Sequence, residues 1–173
     1  MRQNPSTSSF RVSADHNVFS RLVVAIAALF LFTSPSFADA EMDEAQIKYR
    51  QTLMGGVGAN MGGIGAILKN QLNLPGHVES HARQLAMSAK LVAAAFKANL
   101  SAGATDAKPE IWNDWAGFEK AIADFDAAAN TLADAAASGD GAAIGPAVKG
   151  LGKSCGGCHD SFRKPKEESY KNQ

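Results

Sequence analysis

Apolar side chains recur every three or four residues along four segments of the chain, and this spacing places them on one face of a helix. The pattern therefore predicts four amphipathic helices, called predicted helices A, B, C and D below. In chain order, they cover about 43–70, 77–99, 109–138 and 142–164. The apolar series of predicted helix A contains Ile47, Arg50, Met54, Val57, Met61, Ile64 and Leu68.

The connections between the predicted helices are short and carry residues that break helices. Pro75 and Gly76 precede predicted helix B, a polar linker at 101–108 precedes predicted helix C, and 139–141 is Gly-Asp-Gly. Short connections make consecutive helices antiparallel. The sequence therefore predicts an all-α fold, an antiparallel up-down-up-down four-helix bundle.

An apolar run at 22–32 follows two arginines and ends in small residues that fit a cleavage site after Ala38 or Ala40. The run is shorter than the roughly 20 residues that span a membrane. We therefore predict a secretory signal peptide at 1–38. An uncleaved anchor is the alternative.

The remaining residues, 39–173, have the length of a single domain. The whole chain carries 17 basic and 17 acidic residues, and the first 38 contribute three arginines and one aspartate, which leaves the remainder near −2. That charge does not suit a nucleic-acid-binding surface. No second apolar run follows, so no membrane anchor is expected after cleavage.

The strongest chemical signal is the run Cys155-Gly156-Gly157-Cys158-His159 in predicted helix D. Cys-x-x-Cys-His is the attachment motif of a c-type haem, in which both thiols bind the porphyrin and the imidazole binds iron. A thioredoxin-like site would need strands, a structural zinc site would need a fourth ligand, and a plain disulfide leaves the histidine unexplained. We therefore predict one covalent haem c within the bundle, held by Cys155 and Cys158 and ligated by His159.

The chain resembles the class II cytochromes c, which comprise cytochrome c′ and the low-spin cytochromes c-556. Four local strings carry the resemblance: Tyr49–Met54 (YRQTLM), Asn60–Gly62 (NMG), Lys108–Trp112 (KPEIW) and Cys155–Arg163 (CGGCHDSFR). The resemblance implies a four-helix bundle in the bacterial periplasm that exchanges electrons with periplasmic redox proteins. It also implies a homodimer through predicted helices A and B.

The resemblance further implies two functions, separated by the residue on helix A that faces the iron from the side opposite the histidine. Cytochrome c′ has a non-ligand there, whereas the cytochromes c-556 have a methionine that closes the sixth position, and here the matching residue is Met54. We therefore expect a non-enzymatic one-electron carrier with His159 and Met54 as iron ligands. The alternative is a five-coordinate, high-spin cytochrome c′ that binds gases such as NO or CO. Met54 as core filler and Met61 as the ligand remain open.

Weaker expectations concern residues near the haem. The resemblance implies that Arg50 binds a haem propionate and that Arg163 lies near the imidazole, although both arginines also suit solvent-exposed positions. Trp112 is expected in the core, with a haem contact. His77 and His81, four residues apart, suit either a metal ion or solvent exposure.

Predicted helix A contains six glycines between positions 55 and 65, each of which costs about 1 kcal/mol relative to alanine. They allow close approach of the haem or of a partner helix, or they leave the helix loose until haem binds.

Overall fold

Four long helices follow the four apolar segments of the sequence. The structure, a computed structural model, describes residues 37–172. Its long helices are α1 (Phe37–Lys69), α2 (His77–Ala95), α4 (Trp115–Ala137) and α5 (Gly141–Phe162). A short helix, α3 (Glu110–Asn113), precedes α4, and two 3₁₀ turns at Lys166–Glu168 and Tyr170–Asn172 follow α5. Within this part of the chain there is no β-strand, so the predicted all-α four-helix bundle is confirmed.

The predicted signal peptide lies almost entirely outside the described residues. Its proposed cleavage sites, after Ala38 or Ala40, fall within the first turn of α1, so the boundary stays a prediction. Among residues 37–172, none of the helices combines the length and the apolarity needed to cross a membrane.

Predicted helix C is not continuous, which corrects the expectation of one helix over 109–138. The chain leaves helical geometry at Asp114, where φ is −128° and ψ is 62°. The Asp114 carboxylate accepts a hydrogen bond from the backbone N–H of Gly117 at 3.0 Å. Aspartate is a favoured N-cap because it satisfies a free N–H of the first turn, so a new helix starts here.

The core of the bundle has two parts. The first, called the aliphatic cluster, is built mainly from alanine, leucine and isoleucine of all four long helices. Its fully buried members include Ile64, Leu85, Leu132 and Leu151. Ile67 also belongs to this cluster, whereas Leu68 is 37% exposed, so the placement of Leu68 in the apolar series is wrong.

The second part, called the aromatic cluster, joins α2, α3, α4 and the end of α5. Phe118 lies at its centre, with ring centroids 5.4 Å from Phe96, 5.6 Å from Trp115 and 5.3 Å from Phe162. Such tilted and edge-to-face pairs add about 0.5–1.5 kcal/mol each to the burial of the rings. The aromatic cluster therefore ties the end of α5 to the rest of the bundle.

Candidate functional site

The three residues of the Cys-x-x-Cys-His motif lie on α5. This helix starts at Asp140, whose carboxylate accepts a hydrogen bond from the N–H of Ala142 at 2.9 Å. Cys155 packs against the aliphatic cluster, whereas Cys158 packs against the aromatic cluster. The motif therefore lies where the two clusters meet.

A pocket opens at this junction and receives side chains from all four long helices. Six of its lining residues are apolar, and the others are the motif side chains and one serine. The lining comprises Met54, Val57, Val92, Ala121, Ile122, Phe125, Ser154, Cys155, Cys158 and His159. Two thiols and an imidazole facing an apolar wall are the donor set and the surroundings that a covalent haem c requires. The residues present therefore fit that group.

The protein environment keeps the motif side chains neutral. Burial raises the pKa of both thiols, and the neighbouring Cys155 raises that of Cys158 further. Hydrogen bonds from Ser154 and from the backbone partly oppose the rise at Cys155. Since the thiolate is the reactive form of cysteine, burial lowers the reactivity of both thiols.

The pKa of His159 is lowered. Partial desolvation is the larger cause, the positive charge of Arg163 adds to it, and Asp160 opposes it. The imidazole is therefore neutral near pH 7, and neutral imidazole is the form that binds a metal.

Of the two candidate methionines on α1, only Met54 is placed in the pocket. Met54 lines it together with His159 and also packs against the aromatic cluster. Met61 packs instead against the aliphatic cluster. Two helical turns, roughly 10 Å along the axis, separate the two residues. The structure thus brings together Met54 and His159, while iron ligation by Met54 stays a prediction.

Arg50 has partners that the sequence did not indicate. Its residue is only 3% exposed, and the guanidinium donates to three backbone carbonyls at and beyond the end of α2. Nε donates to Ala95 at 2.8 Å, Nη2 to Ala98 at 2.6 Å and Nη1 to Leu100 at 3.1 Å. Burial lowers the pKa of Arg50, with Asp43 opposing, but a guanidinium stays charged in a protein. Arg50 therefore caps α2 from a neighbouring helix, and propionate binding remains a prediction.

Trp112 belongs to the same arrangement. Its indole N–H donates to the carbonyl of Phe96 at 2.8 Å, and the Arg50 guanidinium lies 5.4 Å from the Trp112 ring centroid and 4.8 Å from that of Phe96. Trp112 therefore packs against the aromatic cluster of the core, as the sequence predicted. Its contact with the haem stays a prediction.

Arg163, four residues after His159, lies at the C-terminal end of α5, where its side chain is 53% exposed. Its charge reaches His159, as the lowered pKa of the imidazole indicates. No feature of the sequence connects Arg163 with the polar linker, yet Ala107 and Arg163 form an antiparallel β-bridge. Asp106 Oδ2 lies 3.7 Å from Arg163 Nη2. The linker therefore holds the end of the motif helix.

His81 is not simply solvated, which corrects one of the two expectations for it. Its Nδ1 lies 2.8 Å from Oδ1 of Asn60, and its ring packs so close to Gly63 that a Cβ there would lie 2.7 Å from Nε2. A side chain at position 63 would therefore force the His81 ring to move. No such neighbour lies within 4 Å of the other glycines of α1, which are Gly55, Gly56, Gly58, Gly62 and Gly65.

Over residues 37–172, no group of three or more His, Cys, Asp or Glu is arranged to hold a metal ion.

Comparison with known proteins agrees with this geometry. The sequence model of the cytochrome c′ family matches residues 45–163. A cytochrome c′ from Rhodospirillum rubrum is 35% identical over 139 residues, which cover 80% of this chain and 95% of the relative. Of seven curated relatives, six are named cytochrome c′ and one is named cytochrome c-556.

Two solved structures of cytochrome c′ describe ligands or assembly. One is a nitric oxide complex of a leucine-to-alanine variant from Alcaligenes xylosoxidans, with a TM-score of 0.65, 31% identity, and coverage of 72% of this chain and 97% of that one. The other is described as having an unusual ligand-controlled dimer dissociation. Its TM-score is 0.66, its identity is 32%, and the match covers 71% of this chain and 97% of that one.

Proposed function

This chain belongs to the cytochrome c′ family and is a mono-haem c-type cytochrome, and on that premise we propose that its iron has an open distal position that binds small gases such as NO or CO. The haem, when bound, supplies the iron that exchanges an electron or takes up a gas. Cys155 and Cys158 would hold it covalently, and His159 would be the protein ligand of the iron. The sequence alone favoured the His/Met carrier, and the family comparison favours the gas-binding alternative.

The observation that carries the proposal is the apolar lining that shares one pocket with His159. The residues contributed by α1 and α2 are Met54, Val57 and Val92. None of the three carries an N–H or O–H group on its side chain, so a gas would bind without a side-chain hydrogen bond from them. Met54 packs against the aromatic cluster, where it would limit the space for a ligand without bonding to the iron.

The Alcaligenes xylosoxidans relative supports this proposal, because a variant of that cytochrome c′ was captured with nitric oxide. The apolar side chains that line the pocket around Met54 suit a neutral diatomic ligand. Such a ligand gains from dispersion contacts and loses little by leaving water.

Carbon monoxide binding to the reduced holoprotein tests the proposal. We expect the wild type to bind it readily, and Met54→Leu to keep the spin state while changing the binding rate modestly. Met61→Leu is the matched control, because Met61 packs away from the pocket, and it should change neither quantity. Carbon monoxide binding that occurs only after Met54 is replaced would contradict an open distal position.

The second candidate is a low-spin electron carrier with His159 and Met54 as ligands, and one observation favours it. Met54 lines the same pocket as His159, and a thioether is a suitable ligand for haem iron that raises the reduction potential. In that case Met54→Ala converts the ferric iron towards high spin, lowers the potential and speeds gas binding. The carbon monoxide experiment separates the two candidates.

We further propose a periplasmic protein that exchanges electrons with periplasmic redox partners and forms a homodimer through α1 and α2. The description of a dissociating dimer in one relative supports self-association. At five glycines of α1 the space that a Cβ would occupy is open to 4 Å, and Met87 and Leu91 on α2 are 61% and 48% exposed. Sedimentation of wild type against Leu91→Glu tests the dimer. A monomeric wild type at micromolar concentration would contradict it.

A further inference from the structure

We propose that Asp106 is a positioning residue that holds the Arg163 guanidinium beside the His159 side of the haem site. The inference rests on the proposed role of His159 as the iron ligand. Asp106 lies in the polar linker, far in sequence from the motif, and the proposed function gives it no role. From its place in the linker, Asp106 nevertheless contacts both the end of α5 and the C-terminal tail.

The Asp106 carboxylate is fixed by the tail that follows α5. Its side chain is only 15% exposed. Oδ1 accepts a hydrogen bond from the N–H of Tyr170 at 3.1 Å, and Oδ2 accepts one from the hydroxyl of Ser169 at 3.1 Å. A carboxylate held by two donors in a nearly buried place has a defined position.

The backbone around Asp106 is fastened to the end of α5 as well. The carbonyl of Asp106 accepts a hydrogen bond from the N–H of Lys164 at 2.8 Å, and the N–H of Lys108 donates to the carbonyl of Phe162 at 3.0 Å. The Ala107–Arg163 bridge lies between these two bonds. The carboxylate therefore keeps its place relative to the last turn of the motif helix.

Arg163 is the more exposed partner in this arrangement. Its backbone N–H donates to the carbonyl of His159 at 3.0 Å, one turn back, but its side chain is about half exposed. An exposed ion pair of this kind contributes little to stability, about 0–1 kcal/mol. The 3.7 Å ion pair with Asp106 therefore contributes little to the stability of the fold. Its main effect is on the position of the guanidinium charge.

The direction of the effect on the reduction potential distinguishes positioning from a direct charge effect. A positive charge near the iron favours the reduced state, because reduction lowers the positive charge at the iron. Asp106→Asn removes a negative charge, which by itself raises the potential. If Asp106 positions Arg163, the same substitution releases the guanidinium towards solvent and lowers the potential.

The test is a redox titration of four holoproteins: wild type, Asp106→Asn, Arg163→Ala and the double variant. We expect Asp106→Asn to shift the Fe(III)/Fe(II) equilibrium two- to fivefold towards Fe(III), about 18–41 mV at 59 mV per tenfold. In the Arg163→Ala background, Asp106→Asn should no longer lower the potential. A potential that Asp106→Asn raises or leaves unchanged in the wild-type background would overturn the proposal.

Ser169→Ala is the matched control, because it removes a hydrogen bond to the same carboxylate and leaves its charge. Because the N–H of Tyr170 still holds the carboxylate, we expect the potential of Ser169→Ala to stay close to that of the wild type, and a shift as large as that of Asp106→Asn would also overturn the proposal. Carbon monoxide binding by the wild type reports separately on the distal position. The proposed function can therefore fail there while the comparison of the four potentials still decides the role of Asp106.

Discussion

Replacing Arg50 by methionine tests whether the buried guanidinium is a structural cap. Methionine keeps the length and the apolar contacts of the side-chain stem and removes its hydrogen bonds to Ala95, Ala98 and Leu100. A hydrogen bond to a charged group contributes about 1.5 kcal/mol or more when buried. The bond to Ala95 is buried and the other two are partly buried, so we count those two at about half that value and expect a loss near 3 kcal/mol.

The assay is urea unfolding of the holoprotein, followed by far-ultraviolet circular dichroism. Arg83→Met is the control, because the Arg83 side chain is 51% exposed and pairs with Glu79 on the surface of α2, where an ion pair is worth under about 1 kcal/mol. A loss below about 1 kcal/mol for Arg50→Met, with an unchanged dependence on urea, would refute the cap. Arg50→Met should also leave the reduction potential nearly unchanged if Arg50 makes no propionate contact.

Three further predictions follow from the site and from α1. The double variant Cys155→Ser/Cys158→Ser should release its haem into acid-acetone, whereas the wild type should retain it. Haem release from the wild type would contradict covalent attachment. Gly62→Ala should stabilise α1 by up to about 1 kcal/mol in urea unfolding. Gly63→Ala should destabilise it because its Cβ meets His81, so equal effects of the two would contradict the packing. The haem-free protein should lose much of its helical circular dichroism, because the haem completes the core; an equally helical and heat-stable apoprotein would contradict this.

Local signals in the sequence were enough to predict the fold class and the presence of one covalent haem c. The three- and four-residue spacing predicted the four helices, and the confirmed bundle follows from short connections between them. The order of Cys155, Cys158 and His159 on one helix face predicted covalent haem, which family membership confirms. Both inferences use residues close together in sequence, where periodicity carries the information.

Features that depend on distant residues were missed. For Arg50 the resemblance implied a haem propionate, and nothing in the sequence indicated the carbonyl partners that lie 45 to 50 residues away. Asp106 left no signal at all, because its partners Arg163, Ser169 and Tyr170 meet it only in the folded chain. The break at Asp114 was hidden for another reason: the apolar spacing continues across it while the capping side chain ends one helix and starts the next.

The choice between the two functions rests on one side chain, Met54, whose position in the pocket suits both a ligand and a steric neighbour of the iron. The decisive measurement is the spin state of the ferric wild-type holoprotein by electron paramagnetic resonance and visible absorption. We predict a high-spin signal without the weak long-wavelength band of thioether-ligated ferric haem. A low-spin signal accompanied by that band, and abolished by Met54→Ala but not by Met61→Ala, would contradict an open distal position.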